Sequence, residues 1–400
     1  MVRSRTWIRN EEGRFRQRLF AAALCFLASI SGLPSATGQS TTLEPFLVSR
    51  SVPYSLPAQN DSRTQSLSAA EVGRLASSRC GAANRISSDS HSRNFHTPPI
   101  CKEGASEKQL ISSFQAAIAY RLRQSATANA LKLHFGIAAC LRAQTIFDQT
   151  LALLERQEKA QNQIADKGIP IPDPTLINRL RINLEDKRLE NQSKIAVLRS
   201  QLSGLIGTEN ACGHAPNETQ EIIPSDCNVC DHIEQASNCR CDLVCLKRLK
   251  STITSETLDA WDSIGATLSG VPALAKQKPF WSKVLRPHRS KSEMESAIAA
   301  RKHWLDEIVA DRQKQIAMEI EVAFEKKRTA ALRWVNAGQQ VANWDNRIAQ
   351  LESLSEVQGN LAAQFESQLN RSQSEGEKIE RWAEWHVANV DLMLAIGCEF

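Results

Sequence analysis

The chain of 400 residues carries 49 Lys and Arg against 44 Asp and Glu, a formal charge of +5, and only two tyrosines. Six arginines (Arg3, Arg5, Arg9, Arg14, Arg16 and Arg18) stand in the first 38 residues beside Glu11 and Glu12 alone, so residues 39–400 are left at +1. A nearly neutral chain without a basic patch excludes nucleic acid as a partner, and so few tyrosines argue against the aromatic girdles of a large lipid-facing β-barrel.

Residues 1–38 read as a secretory signal peptide: an arginine-bearing start, the apolar run Leu19 to Ile30, and Ala36-Thr37-Gly38 as a small-residue cleavage site. The run is too short to span a bilayer, and no later stretch approaches spanning length. Residues 39–104, rich in Ser, Thr, Asn, Arg and Pro, read as a weakly structured lead-in.

A first helical hairpin is expected over residues 105–207. No proline interrupts Ser106 to Lys167, and Leu133, Ile137, Cys140, Gln144, Phe147, Leu151 and Leu154 recur at four- and three-residue steps, the seam of a coiled coil. Three prolines and a glycine between Gly168 and Pro174 break that helix. Asp173-Pro174 then supplies an N-cap and an N1 proline for a second helix, which carries Ile195, Leu198, Leu202 and Leu205 and stops at Gly207.

Residues 208–289 read as a cysteine-rich, irregular linker. Ten cysteines remain after the signal, and export makes disulfides the default. Cys212, Cys227, Cys230, Cys239, Cys241 and Cys245 are the disulfide candidates. His232 inside the cluster raises zinc as an alternative, but the spacing matches no pair of CxxC knuckles, so no metal or cofactor is expected, and unpaired thiols are the remaining option.

A second hairpin is expected over residues 290–400. Ala337, Val341, Trp344, Ile348 and Leu351 mark its first helix, and Ile379, Trp382, His386, Asn389 and Met393 mark its second, which ends at Gly397. Gly207 and Gly397 lie 190 positions apart, and Gly168 and Gly359 lie 191 apart, so the chain is an internal duplication of one long hairpin. The fold class expected is all-α: two tandem coiled-coil hairpins with little or no β-barrel portion. His134 and His386 read as packed or solvated side chains. With no phosphate loop, HExxH or nucleophile elbow, no enzyme is expected.

Gly168-Ile169-Pro-Ile171-Pro-Asp173-Pro-Thr-Leu176-Ile-Asn-Arg179 resembles the hairpin tip of outer-membrane efflux proteins of the TolC type. Leu198-Arg-Ser-Gln-Leu202-Ser-Gly-Leu205-Ile206-Gly207, Arg240-Cys-Asp242-Leu243 and Trp385 to Gly397 are similar to other stretches of that family. The resemblance covers roughly residues 105–400. It implies a homotrimer closing into a periplasmic α-barrel that conducts small molecules, with outer-membrane association and with its tips docked on a periplasmic adaptor protein. Gly168, Ile169, Ile171, Asp173, Arg179 and Gly359 are the partner-binding residues so implied. The rival reading is a secreted, disulfide-stapled helical scaffold or surface-coat protein without transport activity.

Overall fold

A computed structural model describes residues 67–89, 107–165, 174–207, 228–255, 258, 290–358 and 361–397. These form eight α-helices: α1 (Ala69–Arg79), α2 (Gly81–Asp89), α3 (Glu107–Ala165), α4 (Pro174–Ile206), α5 (Val229–Cys239), α6 (Cys241–Leu249), α7 (Lys291–Gln358) and α8 (Leu361–Ile396). A 3-10 turn at Lys250–Thr252 follows α6, and no strand occurs among the described residues.

Local chemistry sets the helix ends. The Ser68 and Glu71 side chains form a reciprocal capping box at the start of α1, and Ser290 and Glu293 repeat it at the start of α7. Pro174 opens α4 at the position where its missing N–H costs nothing. At the other ends, Gly207 (φ 63°) and Gly397 (φ 81°) take the left-handed conformation that closes α4 and α8. Between these stops the 59 residues of α3 and the 68 of α7 run without a break, about 90 and 100 Å of helix.

The long helices form one layer in the order α4–α3–α8–α7. α3 packs on α4 and on α8, α8 packs on α7, and α4 touches only α3 and α1 to any extent. The α3–α4 core of Ala130, Ile137, Leu202 and Ile206 takes in Leu133, Ile137, Leu198, Leu202 and Leu205 of the predicted seam. A second stripe on α3, formed by Ala128, Leu131, Phe135 and Ala138, faces Trp382 and Val390 of α8 and joins the two hairpins. That stripe lies one position round the helix from the predicted seam, so α3 is apolar on two faces and belongs in the middle of the layer.

The lead-in and the cysteine-rich linker are more ordered than their composition suggests. α1 and α2, of 11 and 9 residues, lie within the first, while α5 and α6, also of 11 and 9 residues, lie within the second at a constant distance of 160 positions. Each half of the chain therefore runs as two short helices followed by a long hairpin. The short helices form because each buries an apolar face against the layer: Val72 and Ala76 of α1 pack on α3 and α4. Leu243 of α6 joins Ile316, Ile320 and Leu392, and Leu246 and Leu249 pack with Ala117, Ile118 and Leu305.

Candidate functional site

The densest polar cluster among the described residues sits where the α5–α6 junction meets α3, α7 and the C-terminus of α8. Arg240, 1% exposed, occupies the junction. Its Nε and Nη2 donate to the two oxygens of Asp242, each at 3.0 Å, and its Nη1 donates to Glu319 Oε2 at 2.5 Å and to the Ala395 carbonyl at 3.2 Å. Arg312 of α7, equally buried, donates from Nη2 to Asp242 Oδ2 at 2.9 Å and from Nη1 to Glu319 Oε1 at 3.2 Å. From α3, Arg121 donates to the Leu394 carbonyl at 2.8 Å and Gln124 to the Gly397 carbonyl at 3.0 Å.

This arrangement solves two problems at once. The last carbonyls of α8 have no intrahelical donors and carry the negative end of the helix dipole, and three donors from two other segments satisfy them. Asp242 is flanked by cations on both sides. Its burial alone would raise the carboxyl pKa, but Arg240, then Arg312 and Arg121, outweigh it and hold the group well below the usual carboxylate range. With both oxygens engaged and the charge fixed, the cluster holds four helices at one level and presents no group poised for chemistry.

The margins of the layer are different in character. On α4, Ile182, Leu189 and Val197 are exposed at seven- and eight-residue steps, and on α7 Met318, Val322 and Leu332 are exposed. Beside α7 an open groove of about 750 Å³ continues this apolar surface over Val322, Ala330, Val387 and Ala388, with Glu321 and Glu384 among its polar residues. Large apolar side chains aligned on an outward helix face mark a surface that packs on something else.

Of the sequence-predicted site residues, Arg179 lies exposed in the second turn of α4. Gly168, Ile169, Ile171, Asp173 and Gly359 lie outside the described residues, as do Cys212 and Cys227. Of the other disulfide candidates, Cys230 and Cys239 are exposed on α5 and Cys241 is buried on α6, none of the three in a disulfide among the described residues. Cys241 and Cys245 are one turn apart on α6 and point into the core, where Cys241 Sγ donates to the Ala117 carbonyl at 3.7 Å. Burial pushes the Cys241 thiol up to about 12, with Asp242 adding to the shift, so it behaves as a small apolar residue. Among the described residues no group of three or more His, Cys, Asp or Glu is arranged to hold a metal ion.

The ionic cluster was missing from the predicted sites, although the Arg240-Cys-Asp242-Leu243 stretch that anchors it carries part of the family resemblance. Arg312 and Glu319, seven apart on α7, fall on one helix face, and that spacing was the available signal.

No protein-family model matches the chain, and no curated protein matches it. Solved structures do. A membrane protein from Pseudomonas aeruginosa superposes with a TM-score of 0.51 at 14% identity, over 73% of this chain and 72% of that one. The CmeC outer-membrane channel of Campylobacter jejuni superposes with a TM-score of 0.50 at 12% identity, over 82% of this chain and 85% of its own. The two long hairpins and the layer they build thus give this chain the helical architecture of the TolC-type outer-membrane channels.

Proposed function

We propose that the chain is one subunit of an efflux duct of the cell envelope, exported to the periplasm or outer membrane, where its helical layer closes with further copies into a tube that conducts small molecules. The pair of apolar margins carries this reading. Ile182, Leu189 and Val197 on α4 and Met318, Val322 and Leu332 on α7 are exposed on the first and last helices of one layer, with Met318 and Val322 lining grooves shared with α8. Two different edges of that kind associate head to tail, and a constant rotation between copies closes them into a ring. Charge supports the pairing. α4 carries Arg179, Arg181, Lys187, Arg188, Lys194 and Arg199 against three acids, and the groove beside α7 is rimmed by Glu321, Glu325, Glu384 and Asp391 against Lys326 and Arg333.

The sequence resemblance to TolC-type efflux proteins makes three the expected number of copies. The tip residues Gly168, Ile169, Ile171, Asp173, Arg179 and Gly359 are the proposed docking surface for a periplasmic adaptor protein. The duct acts by conduction and by movement of its hairpins, without catalysis.

Sedimentation equilibrium of the processed chain tests the ring. The expected species is an elongated trimer, and Leu189→Glu or Met318→Glu should each weaken association by about tenfold or more, since each removes one buried apolar contact, while far-UV circular dichroism stays unchanged. A chain that remains monomeric at high concentration overturns the reading.

A further inference from the structure

The seam between α3 and α8 contains a feature that neither the ionic cluster nor the apolar margins use. His134 of α3 is 1% exposed, and neither of its ring nitrogens has a hydrogen-bond partner. His386 of α8 is also buried and sits in an aromatic cage. Its ring stacks on Phe135 with centroids 4.2 Å apart and meets Trp382 and Trp385 edge-on at 4.4 and 4.7 Å. The Arg142 guanidinium lies 4.1 Å over the Trp382 ring, so a permanent positive charge already occupies the seam.

We propose that the α3–α8 seam is an acid-sensitive latch, in which protonation of His134 and His386 loosens the contact that holds the first hairpin against the second. An imidazolium donates from both nitrogens, and the His134 site offers neither an acceptor. A second cation beside Arg142, within an apolar cluster of Ala128, Leu131, Phe135, Ala138, Trp382 and Val390, is unfavourable for both desolvation and repulsion.

The charged groups around the pair do not relieve this. Across the same seam Lys132 is paired with Asp391. On the α4 side Lys194, and on α8 Glu380, act on Cys140. On α1, Glu71 is tied to Ser68 at the helix start. From α7 it is the Trp334 ring that packs against the cluster, while Arg333 and Glu384 line the outer groove.

The electrostatics agree with the geometry. Burial, then Arg142 and then His134 bring the His386 pKa down to about 4, and burial lowers that of His134. An unfolded histidine titrates near 6.5, so the folded seam keeps its full stability above that value and loses it as pH falls toward about 4. For His386 alone, linkage makes opening roughly twentyfold more favourable at about pH 5 than at neutral pH. The latch stands independently of the duct reading; within a duct it would tie acidity to the separation of the hairpins.

Hydrogen exchange of the full chain, corrected for intrinsic rates, tests the proposal. Amides of α8 around Trp382 to Asn389 should lose protection by roughly thirtyfold from pH 7.5 to pH 5. The double variant His134→Leu/His386→Phe should abolish the loss. His303→Gln, at an exposed histidine of α7, should leave it unchanged. Unchanged protection in the natural sequence overturns the latch, and so does a full acid response in the double variant.

Discussion

The two repeats close in the same way and are anchored very differently. In each, a left-handed glycine ends the returning helix and an arginine from the junction between two short helices reaches it: Arg79 donates to the Gly207 carbonyl, and Arg240 spans the turn before Gly397 to the Ala395 carbonyl. Arg79 is exposed. Arg240 is buried and bound to two carboxylates that a second buried arginine shares. At the positions 160 residues before Arg240 and Asp242 and 190 before Arg312 and Glu319, the first half carries Cys80, Ala82, Leu122 and Asn129. The same backbone geometry is thus held once by a closed ionic cluster and once by an exposed arginine beside uncharged side chains. Such a cluster adds specificity of placement more than stability, because its desolvation cost offsets most of the Coulombic gain.

Breaking the cluster halfway should have the largest effect. Asp242→Ala leaves Arg240 and Arg312 buried without their shared carboxylate and is expected to destabilise the second repeat by about 3–5 kcal/mol in urea unfolding. Converting the whole cluster to the first repeat's residues, Arg240→Cys, Asp242→Ala, Arg312→Leu and Glu319→Asn, should cost far less than the single change. The sign with pH follows from the depressed Asp242 pKa. Its contribution is fully present above about 4, where the unfolded carboxyl is ionised, and disappears as pH falls toward the lower folded value. The first repeat has no equivalent acid at this position, so acid unfolding should begin in the second repeat.

The closing glycines sharpen the comparison at a smaller scale. An added Cβ at Gly397 would lie 2.8 Å from Arg240 Cγ and 3.2 Å from its Cα, so the fixed junction backbone would have to move. At Gly207 the nearest atoms all belong to the Arg79 side chain, whose exposed end is free to swing away. Both changes carry the cost of a left-handed conformation, about 1–2 kcal/mol. Gly397→Ala should therefore exceed Gly207→Ala by about 1 kcal/mol, measured side by side by thermal or urea unfolding.

How much of this was legible depended on whether the signal was local. Long proline-free runs, the proline break before Pro174 and the paired glycines Gly207 and Gly397 are local, and they located both hairpins. The Ser68 and Glu71 capping box is local too, but it stands in a segment whose composition argued for disorder, so α1 and α2 were missed. Their equivalence to α5 and α6 becomes visible only when the 160-position spacing is applied, because the cysteines of α5 and α6 draw attention to disulfides instead. The ionic cluster joins residues 70 and 79 positions apart, and beyond the shared face of Arg312 and Glu319 no spacing rule reports such a meeting. The second apolar face of α3 was overlooked for a related reason: alanines such as Ala128 and Ala138 are weak markers of burial until a neighbour is known to cover them.

The smallest expected effect is also the most discriminating for the first repeat. Arg79 makes a single charge-assisted bond to a carbonyl at a helix end, from an exposed position. Solvent screens it, and the carbonyl it serves has water as an alternative donor. Arg79→Ala should therefore cost about 0.5–1 kcal/mol, well below any change in the second cluster, and the loss should shrink in high salt. If Arg79→Ala instead matches Asp242→Ala in urea unfolding, the two anchors are energetically alike, and the exposed arginine holds the first repeat far more firmly than its solvent contact allows. A small, salt-dependent loss places the more easily released junction in the first repeat, at the α1–α2 bend where α4 ends.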